Sequence, residues 1–392
     1  MTYTLEEKCW IWLATLRGLG DKALRGLVEQ MGSAEAVRRA AVQSPADLPL
    51  DDKVRAQMAK TMSPDYLDRL AAALDRRGIV AVTPPHPQYS SLLAQLPDAP
   101  VLLYAKGDLS LMQSPGLIAV VGSRSATRYG QKMAYQLARD LALEGVTIVS
   151  GMARGVDSYA HQGALAAGGK TIAVLGCGVD VVYPPENGAL YDQIAEQGLL
   201  LSEYLPGAEP LKGHFPERNR IISGLCHGVL VLEGSERSGS RITANLALDQ
   251  GREVMAVPGN IDLPLSYTPN QLIREGCALI TTAQDVMEAM GWAQAKEQPQ
   301  EQPAREKAVP GQRARREAPA PQPEEEPIRV TPGKPTEDET RIMGMLSMGP
   351  ASFDEIYEAL EFSPAKLGAT LTIMVAKGML NALPGKVYEL HE

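Results

Sequence analysis

Four short stretches of this chain set glycine, hydroxyl and cationic residues directly after apolar runs. The first is Gly122, Ser123 and Arg124, which follows LIAVV and precedes a helical stretch from about Tyr129. A strand-to-helix loop aims backbone N–H groups and a helix N-terminus at one point, where phosphate binds readily. Gly122 lets backbone come close; Ser123 and Arg124 would donate to phosphate oxygens. The second stretch, SGMARGVD at 150–157, follows the next apolar run, so Arg154 falls on the same sheet edge. Asp157 stands where a helix N-cap is wanted. His161, one turn on, reads as a packed or surface histidine. The third, KGHFPERNR at 212–220, sets Lys212, Arg218 and Arg220 against one acid, with Phe215 and Asn219 among them. Cations neutralise phosphates while a ring offers a stacking face worth about 1–3 kcal/mol per base. Only unpaired bases expose such faces. The fourth, EGSERSGSRIT at 233–243, again follows an apolar run and opens a helix. Ser238, Ser240 and Thr243 can donate to phosphates or cap that helix, and Arg241 adds a cation. Each stretch has a plainer reading: a structural glycine turn, a core ring at Phe215, salt bridges at Arg218 and Arg220, capping serines.

What is missing narrows the chemistry. There is no GxGxxG or Walker A sequence, no HExxH, no GxSxG, and no paired carboxylates beside a plausible nucleophile. Cys9, Cys177, Cys226 and Cys277 lie far apart and form no CxxC, and the five histidines lack metal-ligand spacing. The expectation is a protein with no catalytic residue, metal or cofactor. The net charge of −9 argues against a broad basic surface, so any nucleic-acid site must be a local patch.

The elements that must position these residues follow from periodicity. Residues 5–75 read as short helices, and within them LRGLGD at 16–21 resembles the hairpin of a helix-hairpin-helix, with a purely structural turn the better reading. Residues 79–112 are punctuated by proline and read as a connecting segment with short strands. From Gly116, apolar runs of four to seven residues alternate with helical stretches: LIAVV, TIVS, TIAVL, LLLS, GVLV, EVMAV and ALI. Runs of that kind are strands buried on both faces. The expected fold class is therefore α/β, a doubly wound, mostly parallel sheet ending near Trp292. From Gln298 to Pro335 the chain holds nine prolines and almost no large apolar residue, the composition of a disordered tether. Residues 336–392 regain helical periodicity and close on GKVYEL, a winged-helix outline. The domains expected are 1–78, helical; 79–292, the sheet domain; 293–335, the linker; and 336–392, the winged helix. The start, MTYTLEEKCW, carries acids where a signal peptide wants lysines, and no apolar stretch of about 18 residues exists, so a cytoplasmic protein without a membrane span is expected.

The segments VVGSRSATRYG, SGMARGVDSYAH, VLGCGVDVVYPPEN, HFPERNRIISGL and VLEGSERSGSRITANLALDQGREVMAVPGN resemble, in order and spacing, the DNA-processing protein A (DprA/Smf) family. The likeness is close over about residues 80–290. It implies an extended Rossmann-like domain that binds single-stranded DNA, flanked by a small helical domain of the SAM or helix-hairpin-helix type and a winged helix. It also implies a homodimer that protects incoming DNA and hands it to the RecA recombinase in natural transformation. The family's DNA-binding positions map to Gly122, Ser123 and Arg124, and to Lys212, Phe215 and the stretch from Arg218 through Asn219 to Arg220. The tail from residue 336 carries nine Asp or Glu against four Lys or Arg, which repels phosphates and points to a protein partner. Two rival readings stand beside this one. A nucleotide phosphoribohydrolase of the lysine-decarboxylase-like type would need a PGGxGT loop and a downstream glutamate, but here the loop reads EGSERSGSRITAN and no glutamate follows before Glu253. A nucleotide-responsive regulator would hold a mononucleotide in the sheet domain and a promoter on the winged helix.

Overall fold

The computed structural model describes residues 3–292, 336–347, 349–360, 362, 364–383 and 387–391. They belong to two compact units divided near residue 301. The tether expected at 293–335 lies outside the described residues.

The first unit opens with five helices, α1 (Leu5–Ala14), α2 (Asp21–Met31), α3 (Ala34–Gln43), α4 (Asp52–Thr61) and α5 (Pro64–Asp75). Their ends are written in the sequence: Thr4 and Glu7 form a capping box on α1, and Ser63 caps α5 with proline in its first turn. Trp12, Leu13, Leu24, Val37, Met58 and Leu67 close a core of their own. The turn at 16–21 bonds within the protein, and its Asp21 carboxylate accepts from Val101 N–H at 3.3 Å. Arg17 N–H donates to Gln57, whose amide donates back to Arg17 O, and Leu19 N–H donates to Leu16 O.

The chain then builds a nine-stranded sheet. In order come β1 (Val80–Val82), the one-turn α6 (Ser91–Ala94), β2 (Leu103–Gly107), β3 (Leu117–Val121), α7 (Arg128–Leu143), β4 (Thr147–Ser150), α8 (Val156–Ala166) and β5 (Thr171–Leu175). They are followed by α9 (Gly188–Gln197), β6 (Leu199–Ser202), α10 (His214–Leu225), β7 (Gly228–Val231), α11 (Gly239–Asp249), β8 (Glu253–Ala256), α12 (Tyr267–Arg274), β9 (Ala278–Leu279) and α13 (Ala283–Ala289). The strand order is β1-β2-β6-β5-β4-β3-β7-β8-β9. β1 and β2 are antiparallel additions beside β6; from β6 to β9 all pairings are parallel. The sheet is thus α/β and mostly parallel.

Alternation along buried strands divides the core. Ala119, Val121, Val149 and Val229 face Ile221 and Ile222 of α10 and Ala244 and Ala247 of α11. Ile118, Val120, Ile148 and Leu230 face Ala134 and Leu137 of α7 and Ala160 and Ala164 of α8. β3 is the pivot: the chain adds β4, β5 and β6 on one side of it, then β7, β8 and β9 on the other. Loops leaving the C-terminal ends of β3 and β7 therefore diverge, and a crevice opens between them.

The second unit contains α14 (Glu337–Leu346), β10 (Ala351–Ser352), α15 (Phe353–Leu360), α16 (Pro364–Ala376), β11 (Leu380–Leu383) and β12 (Val387–Leu390). Its strands form an antiparallel sheet in the order β10-β12-β11 around Ile342, Ile356, Leu367, Leu371 and Met374.

Helices α7 and α8 carry two of the crevice loops, and they pack through Gly163. A Cβ there would stand 2.2 Å from the Tyr135 carbonyl oxygen. Gly163→Ala is expected to cost roughly 1–3 kcal/mol by overpacking, seen as a lower urea midpoint. Gly26→Ala, on the open face of α2 with nothing within 4 Å of the new Cβ, is expected to raise it slightly.

Candidate nucleic-acid interface

The crevice is a cleft of about 650 Å³. Gly122, Ser123, Arg124 and Ser125 reach it from the loop after β3, and Ala153 and Asp157 from the region after β4. Lys212, Phe215, Arg218 and Asn219 enter with the start of α10, and Ser238, Gly239 and Ser240 with the start of α11. The first turns of α10 and α11 thus open on it. Ser238 caps α11 by accepting from Arg241 N–H, and Thr127, next to the cleft, caps α7 by accepting from Gly130 N–H. Of the sequence-expected residues, Gly122, Ser123, Arg124, Lys212, Phe215, Arg218, Asn219 and Ser240 share this one cleft.

At its floor lies a buried cation. Arg218 is 3% exposed. Its Nη1 donates to the carbonyl of Gly151 at 2.8 Å and to that of Val174. Its Nε has no hydrogen-bond partner among the described residues. Burial lowers its pKa to about 10, and the charge of Asp157 acts the other way. Gly151 makes the site possible: a Cβ there would stand 2.6 Å from the guanidinium.

Asp157 is not the N-cap that its position in the sequence suggested. Gly155, at φ +74°, holds the cap position of α8. That conformation is open to glycine at little cost, and it brings the loop onto Ser123, whose carbonyl accepts from Val156 N–H. The Asp157 carboxylate turns back instead and accepts from the N–H groups of Gly151 at 3.2 Å and Ala153 at 3.4 Å. Burial pushes its carboxyl up to about 6, against the pull of Arg218.

Around the mouth the cations are free. Arg124 and Lys212 are exposed and have no acidic partner among the described residues. Arg124 lies over the Phe215 ring, 4.9 Å from its centroid, a cation–π contact. Gly176 also lies against that ring, where a Cβ would stand 2.9 Å from it, and Tyr183 is 5.4 Å away between centroids.

Three expected residues are not brought to the cleft. Arg220 points to the other side of α10, pairing with Glu203 at 2.5 Å and Asp98 at 3.5 Å. Arg241 is held by both carboxylate oxygens of Glu275, at 2.9 and 3.0 Å. Arg154 forks onto Glu186 and lines a small neighbouring recess. Ser240 does line the cleft, but its hydroxyl donates to Glu233 O at 3.2 Å. Sequence reasoning missed Glu233. Its buried carboxylate accepts from Thr127 N–H at 2.9 Å and Thr127 Oγ1 at 2.5 Å, tying the two cleft-lining loops together. Its place directly after an apolar strand, where a charge is costly unless held, was the available signal.

A mostly parallel sheet with a cationic loop cluster at its switch point belongs to the Rossmann-like α/β proteins. Comparison with known proteins narrows the class. The family model described as DNA recombination-mediator protein A matches residues 80–291. The DNA processing protein DprA of Streptococcus pneumoniae is 51% identical over 195 residues, 50% of this chain and 68% of that one. The Bacillus subtilis DprA is 41% identical over 242 residues, 61% of this chain and 82% of its own. The X-ray structure of the S. pneumoniae protein aligns with a TM-score of 0.58 at 39% identity, covering 74% of this chain and 98% of that one. The chain belongs to the DprA/Smf family, that of DNA recombination-mediator protein A.

Asp157 gives the cleft a pH signature. Its folded pKa of about 6 lies above the ordinary 3.8, so between these values the folded state holds a proton that the unfolded chain has lost. This carboxyl therefore favours folding increasingly as pH falls from about 6 to 4 and opposes it above. Asp157→Asn removes the titration. Relative to wild type, its stability is expected to improve as pH rises from 4 to 6, by on the order of 2–3 kcal/mol, and then level off. Urea titrations across that range measure the gap; a gap independent of pH would refute the assignment.

Proposed function

We propose that this chain is a single-stranded-DNA-binding protein that uses the cleft as its site, acts as a homodimer in the cytoplasm, protects incoming strands and loads RecA recombinase onto them. The observation that carries the reading is the convergence of unpaired Arg124 and Lys212, buried Arg218 and the Phe215 ring on one cleft with two helix N-termini. Cations and amides suit phosphates, and an accessible ring suits an unpaired base. The S. pneumoniae and B. subtilis relatives are named DNA processing proteins, and the family is described as a recombination mediator; the handover to RecA is inferred from that membership.

Binding is preferred to catalysis on two grounds. The carboxylate lining the cleft, Asp157, is spent on loop N–H groups. Glu253, the first glutamate after the glycine-rich loop, begins β8 and so sits at the N-terminal edge of the sheet, opposite the cleft. The phosphoribohydrolase pattern is therefore broken in space as well as in sequence.

For the second unit we propose a winged helix that meets protein rather than DNA. Lys366 and Lys377 of α16 and its end are paired within the unit, with Asp338 at 2.8 Å and Glu339 at 2.7 Å.

Two measurements test these readings. In anisotropy titrations with oligo-dT, Lys212→Glu should weaken binding strongly and reduce the salt slope by about 0.7 per lost phosphate contact. Phe215→Ala should weaken it by roughly 1–3 kcal/mol at unchanged slope. Wild-type binding by both variants would misplace the site. In gel shifts, deletion of 336–392 should leave single-strand binding intact, and its loss would give the tail a DNA-binding role.

A further inference from the structure

Outside the cleft, the first turns of α7 carry a group of residues that folding alone does not favour. The helix begins with Arg128, Tyr129, Gly130 and Gln131, with no acid in its first turn. Arg128 and Lys132 are exposed and have no acidic partner among the described residues. Four residues apart, they fall within about 40° of each other around the axis. Both stand opposite the buried face made by Ala134, Leu137, Ala138 and Leu141. Like charges at this spacing repel, and cations at a helix N-terminus oppose the helix dipole. An external polyanion would relieve both.

To one side of them stands a fixed ring. Tyr129 is 43% exposed, and its hydroxyl donates to the Pro258 carbonyl at 2.8 Å. It neighbours Lys132 at three residues' spacing. The loop that anchors this hydroxyl also supplies Leu265 to the cleft wall, and Ser125, just before the α7 cap, lines the cleft from the other side. The group therefore adjoins the rim. Arg128 and Lys132 span about 6 Å of helix axis, suited to neighbouring phosphates of a flexible strand.

We propose that Tyr129, beside Arg128 and Lys132, is a second base platform, over which a single strand leaving the cleft is carried along α7. The proposal rests on reading the cleft as a single-strand site. It adds a direction for the strand and a second stacking position.

The test uses the full chain and two probes, a dT trimer that fills the cleft and a dT twentymer that extends beyond it. Affinities are measured over a salt series, and size-exclusion chromatography checks that self-association is unchanged. Tyr129→Ala should weaken the twentymer at least about fivefold and leave the trimer unchanged, while Tyr129→Phe, which keeps the ring, should retain most of the affinity. Arg128→Gln combined with Lys132→Gln should lower the twentymer salt slope by about 1.4 without altering the trimer's. Wild-type twentymer binding in every α7 variant, with Lys212→Glu impaired, overturns the platform and leaves the cleft standing. Equal weakening of trimer and twentymer also overturns it, because the effect then passes through the cleft. Normal binding by Lys212→Glu sinks the cleft reading and the platform with it.

Discussion

The rim of this sheet is organised by one buried cation. Taking an arginine out of water costs several kcal/mol even after relaxation, so Arg218 is stable only with its surroundings fixed. It draws the carbonyls of Gly151 and Val174 together, at the ends of β4 and β5. It provides the positive charge near which Asp157 can remain ionised. Asp157 in turn holds the amides of Gly151 and Ala153, and the loop they form lies against the Ser123 carbonyl through Val156 N–H. One guanidinium thus sets the positions of two loops that it does not itself belong to. Without it, Asp157 would be a buried charge with its main compensation gone, which is why this residue cannot be treated simply as a ligand contact.

The charge distribution follows a different rule at the mouth. The chain has 47 acidic and 38 basic residues, and around the sheet the acids neutralise cations in place, as Glu203 does for Arg220, Glu186 for Arg154 and Glu275 for Arg241. Arg124 and Lys212 are left exposed beside the cleft. A local positive potential in an otherwise acidic molecule focuses anions onto one point and suppresses indiscriminate coating. In the function proposed above, binding would then weaken with salt in proportion to the few phosphates engaged.

Much of this was legible in the sequence, and the misses have physical causes. The runs LIAVV and TIAVL announce buried parallel strands because both faces of such strands meet helices. Short strands were expected within 79–112, where β1 and β2 lie, but their antiparallel pairing onto the edge of the sheet was not read, since three residues give too little period to count. Arg218 and Arg220 looked equivalent in a cationic cluster, yet the helix separates them. Arg218 lies three, four and seven residues before Ile221, Ile222 and Leu225, which are all buried, whereas Arg220 falls out of that phase. The helical period therefore held the distinction. Asp157 was misplaced because aspartate is so good a cap, and only the backbone at Gly155 shows that the helix starts two residues earlier than such a cap would allow.

The two units make the same point from opposite sides. In the second, acids outnumber cations, and the lysines that might face a phosphate are closed off by Asp338 and Glu339. The exposed Lys366–Asp338 pair contributes little to stability, whereas buried Glu339 needs Lys377 as its partner; both pairs make that face unattractive to a polyanion. At the cleft, Arg124 and Lys212 have no acidic partner among the described residues, and Arg124 instead rests on the Phe215 ring. A cation–π contact at an exposed site is worth only about 0.5–1 kcal/mol, less than a base stack on the same ring. In the function proposed above, Arg124 would yield the ring at small cost to a base while keeping its own charge for an adjoining phosphate. A surface that leaves charges unpaired but parks them on weak contacts is arranged for exchange with a ligand.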